Sequence, residues 1–305
     1  MNRLARQNPK IPEGINHHNE KPLAELFQLL MAVGLLLGGL LLAILLFSRW
    51  LVPYVPFSWE QHLARPMEDS PAMVYNNRIA CVSPAEQQAA EQALQQILNR
   101  LVADAELPGG MTLQGHFIEL EQPNAFATLG GHLFVTTGLM QEVSSENALA
   151  MVLAHELAHV QYRHPLQALS RGVLLQLALG LLGINQDSVS ALVTPGSMLT
   201  LLSFSRDMER EADAGAIALL QKRYGGLQGA DEFFVAMSEA HDEPAWQAAI
   251  QTHPAIEERL HNLVHLEDRG KALQPLPEAL VVFKHQLRYC QQADDNGAVA
   301  AEGAE

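Results

Sequence analysis

Ala154-His155-Glu156-Leu157-Ala158-His159 decides the reading of this chain. It lies in a helical run opened by Ser144-Ser145-Glu146-Asn147. Residues four apart sit one above the other on a helix, so the imidazoles of His155 and His159 point the same way. Two nitrogens placed like that can reach one zinc ion at ~2.0–2.1 Å. Glu156, beside the first of them, is placed to take a proton from a water activated by the metal. Met151, Val152 and Leu153 are apolar, as for a helix buried near its site. The competing reading of these six residues is an amphipathic helix with two unrelated histidines.

A hydrolytic zinc site uses three protein ligands and keeps one position open. After His159 come Val160-Gln161-Tyr162-Arg163-His164, with no glycine turn to swing His164 back. The third ligand is therefore expected from another helix. Phe204-Ser205-Arg206-Asp207-Met208-Glu209-Arg210-Glu211-Ala212-Asp213 offers four carboxylates. Glu209 and Asp213 share a face, and Ala212, Ala216, Leu219 and Leu220 put the buried side near them. Glu211 points roughly the opposite way. Glu209 is the expected ligand, and Asp213 a carboxylate that orients a ligand imidazole. Taken alone, the segment also reads as a solvated acidic face matched by Arg206 and Arg210.

Upstream, Leu26 to Phe47 is apolar except for Gln28. A run of about 20 apolar residues matches a ~30 Å hydrocarbon core at 1.5 Å per residue. A buried helix seldom stays apolar on every face for so long. A cleaved signal peptide has a shorter core followed by small residues, whereas here Ser48-Arg49-Trp50-Leu51-Val52-Pro53 follows. Trp50 and Tyr54 fit interfacial anchors. Arg3, Arg6, Lys10 and Lys21 precede the run; close behind it stands only Arg49, with Arg65 further on. The positive-inside rule then keeps the N-terminus cytoplasmic and exports the rest. In a bacterium this predicts a single-pass inner-membrane protein with a periplasmic domain. The reversed topology would face the cytoplasm, and a Cys81–Cys290 disulfide would count against it. Two unrelated thiols fit the sequence equally well.

With 17% charged residues and 48% hydrophobic, the chain is not disordered throughout. A net charge of −15 opposes nucleic-acid binding, which needs Lys and Arg to release counterions from phosphates. Two cysteines make neither a disulfide scaffold nor a four-cysteine zinc site. Prolines 53, 56, 66, 71 and 84 mark a linker. Ser83-Pro84-Ala85-Glu86 then opens a helix that stops before Pro108-Gly109-Gly110. Runs 116–120 and 132–137 look like strands, with Gly130-Gly131 as a hairpin signal. Helical stretches are expected at 145–163, 166–184, 188–203, 205–223 and 254–267. The pair within 166–203 reads as an αα-hairpin on the domain or at the membrane surface, or as a re-entrant loop.

His155-Glu156-Leu157-Ala158-His159 followed by Glu209-Arg210-Glu211-Ala212-Asp213 resembles peptidase family M48, the gluzincin proteases of the HtpX and BepA type. The family's Glu, followed four residues later by Asp, falls on Glu209 and Asp213. Asn124-Ala125-Phe126-Ala127 through Gly138-Leu139-Met140 resembles its strand segment before the zinc helix. Thr252-His253-Pro254 with Arg259-Leu260 resembles its C-terminal His-Pro element. The likeness spans residues 84–268 and implies an α+β, mostly helical zincin-type metallopeptidase domain with a small β-sheet, preceded by one transmembrane helix. The expected division is a cytoplasmic tail over 1–25, the membrane helix over 26–48, a linker over 49–83, the metallopeptidase domain over 84–291 and a disordered tail over 292–305.

The resemblance further implies one Zn2+ per chain, held by His155, His159 and Glu209, with Glu156 as the general base. It places His253 over the metal, either steadying the oxyanion or closing the metal as a fourth ligand. His116, His132, His164, His241, His261 and His265 then read as structural. Substrate proteins are expected to lie extended along an edge strand containing Asn124, Ala125 and Phe126, by β-augmentation. The implied activity is cleavage of unfolded or misassembled envelope proteins, with envelope assembly machinery as a candidate partner. The other reading keeps the fold but shuts the site, with the 166–203 hairpin or His253 closing it. Such a chain would act as a chaperone-like assembly factor. A non-enzymatic structural zinc protein fits less well, because such sites favour cysteine and Glu156 would have no task.

Overall fold

The computed structural model describes residues 22–68, 79–105, 107, 110–170, 204–240, 244–253, 256–264 and 273–302. Helix α1, Pro22–Leu51, is long and apolar enough over Pro22–Leu40 to cross a membrane, and none of that stretch is buried. A short 3-10 turn, Val52–Tyr54, leads into α2, Phe57–Glu68. The expected linker is thus partly a helix that packs on the domain. Val52 and Ala64 form a small apolar cluster with Leu129 and Leu166.

Phe57, Ile79 and Val82 join the main core ahead of α3, Pro84–Asp104. Its capping box is complete: the Ser83 side chain accepts from Glu86 N–H, and the Glu86 carboxylate accepts from Ser83 N–H. Leu94, Ile97, Leu98 and Leu101 recur at helical spacing and are fully buried. The sheet has three strands in the order β1-β3-β2: β1 Gln114–Ile118, β2 Ala125–Ala127 and β3 His132–Thr136. β1 runs parallel to β3, whereas β2 pairs antiparallel with it, Phe126 opposite Phe134. The Gly130-Gly131 hairpin therefore joins β2 to β3, and the run at 116–120 returns as a parallel neighbour. Gly131 has φ +87, and a Cβ there would collide with the Thr112 carbonyl oxygen. Phe117 points from β1 into the core, 4.6 Å from the Phe283 ring.

After the short α4, Thr137–Glu142, the chain enters α5, Glu146–Gln161, with Ser145 accepting from Ala148 N–H as its cap. Every residue of α5 from Asn147 to Val160 is buried. Helix α6, Arg206–Tyr224, is capped by Ser205 and ends at Gly225 in the left-handed conformation. Helices α7 (Glu232–Glu239), α8 (Gln247–Thr252), α9 (Ile256–Val264) and α10 (Glu278–Glu302) complete the domain.

Cys290 on α10 is disulfide-bonded to Cys81, just before α3, with Cα atoms 6.1 Å apart. This resolves the open choice between a bond and two free thiols. The backbone of α10 stays helical through Glu302, where a disordered tail was expected. The expected helical stretches of the 166–203 hairpin lie outside the described residues from 171 onward.

Candidate active site

α5 and α6 pack along one another, and α9 with the end of α8 closes over them. His155, His159, Glu209 and His253 converge here, each offering one ligand atom, with all four atoms within 4.8 Å of one another. All four residues are buried. The Nε2 atoms of His155 and His159 are 2.9 Å apart, and each is 3.5 Å from a Glu209 carboxylate oxygen. His253 brings Nδ1 to 3.2 Å from Glu209 and 3.4 Å from His155 Nε2. Its Nε2 is buried with no hydrogen-bond partner among the described residues. Three imidazoles and one carboxylate form a donor set that a zinc ion accepts.

Glu156 lies at the edge of this cluster. One carboxylate oxygen accepts from Ala127 N–H at 2.9 Å, and the other is 3.5 Å from His253 Nε2. Burial pushes its pKa up, against the lowering effect of the neighbouring imidazoles. A base tuned upward gains proton affinity. Burial also lowers the pKa of His159, and the charge on His155 adds to this. For His155, burial and Arg259 act downward, but Asp213 and Glu209 outweigh them and push it up to about 9. Glu209 is held well below the usual carboxylate range: burial opposes, and the imidazoles of His253 and His155 prevail.

Asp213 is 3.0 Å from His155 Nδ1, on the side away from the cluster. Asn124, Ala125 and Phe126 are buried on β2 and its approach, against α5. Asn124 O accepts from Thr136 N–H, and Thr128 N–H donates to His132 O. By strand alternation, Ala125 and Ala127 direct their backbone groups to the other edge. That is the edge from which Ala127 reaches Glu156.

Three residues make contacts at the site that the sequence did not assign to them, although Arg259 was part of the C-terminal His-Pro element. Arg259 on α9 donates to both oxygens of Asp213 at 2.8 and 2.9 Å and lies 2.8 Å from Glu209. It binds α6 to α9 beneath the metal ligands. His164, expected to be structural, reaches the cluster: its Nδ1 is 2.9 Å from His159 Nδ1, and its Nε2 is 3.5 Å from Glu211. Glycine was not needed for its return, because Arg163 itself adopts φ +61. That conformation costs a non-glycine residue about 1 kcal/mol or more. Two bonds offset it: Arg163 Nε donates to Glu60 at 2.7 Å, and Nη1 donates to Val55 O at 3.0 Å. Glu60, the third of these residues, is itself buried on α2. The one available signal was spacing, with His164 just past the helix end.

Two histidines one turn apart, a glutamate between them and a second glutamate from the neighbouring helix define a metallopeptidase of the zincin class. The sequence profile of Peptidase family M48 matches residues 88–267. The chain belongs to that family. A putative beta-barrel assembly-enhancing protease of Vibrio cholerae is 31% identical over 180 residues, covering 54% of this chain and 36% of that protein. The mitochondrial metalloendopeptidase OMA1 of Schizosaccharomyces pombe is 31% identical over 172 residues, covering 55% and 50%. The bovine metalloendopeptidase OMA1 is 26% identical over 238 residues, covering 68% and 45%. The chain thus spans half or less of these relatives' length.

Proposed function

We propose that this chain is a zinc-dependent endopeptidase of the bacterial envelope that cleaves unfolded or misassembled proteins. The observation that carries the reading is the buried convergence of His155, His159 and Glu209 with Glu156 beside them. Those three residues would hold the ion. Bound zinc supplies Lewis acidity to the scissile carbonyl and to the attacking water.

Glu156 is the general base. It takes the proton from the attacking water and returns it to the amide nitrogen as the C–N bond breaks. The Ala127 N–H fixes one of its oxygens, so the other faces the reaction. His253 Nε2 is the buried donor that steadies the developing oxyanion. The outer edge of β2, through the backbone of Ala125 and the carbonyl of Ala127, binds an extended peptide by backbone pairing, the Ala127 N–H being held by Glu156. That recognition reads main chain more than side chain and suits unfolded substrates.

α1 is the membrane anchor, with the N-terminus cytoplasmic and the domain periplasmic. The disulfide supports an oxidising compartment. The relatives named for beta-barrel assembly support substrates of the envelope and a link to its assembly machinery.

The test is cleavage of unfolded casein by the full chain in detergent, with zinc quantified on the same sample. Glu156→Gln is expected to keep zinc and lose at least ~100-fold in rate. Cleavage at the native rate would sink the assignment of the base. A second reading draws on the approach of His253 to His155 and Glu209, which would close the metal as a fourth ligand. Stoichiometric zinc without cleavage, and cleavage appearing in His253→Ala, would establish that shut form.

A further inference from the structure

Helix α2 has two unlike faces. Phe57, Glu60 and Ala64 are buried against the domain. On the other side Trp59 is 66% exposed and Leu63 51%, one helical turn apart. An indole left that open is costly in water, but it is favourable at the boundary between headgroups and acyl chains.

The rotation of α2 is fixed. Glu60 is ion-paired in the interior with Arg163, and the Arg163 guanidinium lies over the Phe57 ring at 5.7 Å. Turning Trp59 inward would pull a buried carboxylate off its partner and leave an uncompensated charge in the interior. The outer face is thus held out by the inner one.

Position and charge say what meets it. α2 starts at Phe57, and α1 ends at Leu51. Even fully extended, that connection reaches only about 20 Å, and the turn over Val52–Tyr54 shortens it. The chain carries a net charge of −15, yet Glu60, the acidic residue of the first turn of α2, points inward. Ser58 and His62 flank Trp59 and Leu63 on the exposed side. A carboxylate-poor, indole-bearing face so close to a membrane helix suits a lipid surface rather than bulk water.

We infer that the Trp59–Leu63 face of α2 rests on the bilayer interface. Its inner face then fixes the β2–β3 turn and the end of α5 at the membrane surface. The preferred substrates are therefore unfolded segments at the bilayer surface. The inference rests on α1 being the membrane anchor.

The three tryptophans of the chain, Trp50, Trp59 and Trp246, make the test. Three full-length variants, each keeping one tryptophan and replacing the other two by Phe, are placed in phosphatidylcholine nanodiscs with brominated acyl chains. Zinc content and casein cleavage verify each fold. The expected result is strong quenching of Trp50 and Trp59 and none of Trp246, which is 5% exposed in the core. Quenched Trp50 with unquenched Trp59 would overturn the docking and leave the anchor standing. Both unquenched would overturn the anchor and the docking with it. A concentration-dependent Trp59–Trp59 contact in place of quenching would assign the face to a second copy and also overturn the inference. As a second readout, Trp59→Gln with Leu63→Gln should cleave soluble casein at the native rate and a lipid-tethered unfolded peptide several-fold more slowly. Equal rates on the tethered peptide would overturn the substrate preference.

Discussion

Helix α5 is buried from Asn147 to Val160, whereas α6 buries only Met208, Glu209, Ala212, Ala216, Leu219 and Leu220. Both feed the same cluster, but different forces hold them. α5 is fixed by apolar packing on all sides, so its two histidines are carried to one place whatever their own partners do. α6 lies at the rim, with Glu209 on the buried stripe and Asp213 half-buried one turn on. Arg259 pins them there by contacting Glu209 and Asp213 together. One helix is positioned by the hydrophobic effect and the other by a buried charge network.

The largest expected effect attacks the charged side. Arg259→Met leaves two buried carboxylates short of their cation and should cost about 3–5 kcal/mol. Urea unfolding of the metal-free protein measures it. A loss below about 1 kcal/mol would mean that apolar packing holds α6 as well.

Leu153→Ala attacks the packed side. Leu153 is fully buried, so the loss should be about 2–5 kcal/mol. Zinc content at native temperature should stay stoichiometric, because the ligands' own contacts are untouched. Lost zinc in a folded sample would contradict the division of labour between the helices.

A pH series sharpens the comparison. Burial pushes the Asp213 pKa up, but Arg259 and His155 outweigh it and bring it to about 2. A depressed carboxylate contributes stability above its unfolded value, near 4, and loses it as the pH falls through about 2. The contribution should be about 2 kcal/mol. Metal-free Asp213→Asn should show a shallower decline between pH 4 and pH 2, read by urea midpoints. An unchanged slope would place the acid sensitivity elsewhere.

The smallest effect is local. His164→Asn breaks the contact that orients His159. Loss of an outer partner of a metal-bound imidazole costs about 10-fold or more in metal affinity. Chelator competition measures it, with the melting temperature of the metal-free protein as the control. A drop in melting temperature without loss of affinity would make His164 a packing residue only.

The same contrast explains what was legible. The helix carrying His155 and His159 could be read because local spacing alone aligns its side chains. Ser83 and Ser145 announced their helices, since a cap acts within one turn. Glu209 and Asp213 were legible because their four-residue separation singles out one face. The partners that reach across the fold were not. Arg259 lies 46 residues from Asp213 in sequence, and Arg163 lies 103 from Glu60. The parallel pairing of β1 with β3 was equally hidden, because a glycine pair marks a turn without naming which strand returns. The segment before α3 looked like a linker because its prolines are local signals, while the packing of α2 is tertiary.

The disulfide between Cys81 and Cys290 encloses 209 residues of sequence separation, including the whole metal-binding cluster. Its topology bears on how such a molecule ages. A protease held at working concentration is exposed to cleavage by its own kind. Any single cut between those two cysteines leaves both fragments on one covalent particle. The nicked enzyme would keep its mass under non-reducing conditions and separate into pieces only when a thiol is added. Damage to the chain and loss of the assembled site are therefore two separate events in this protein's lifetime.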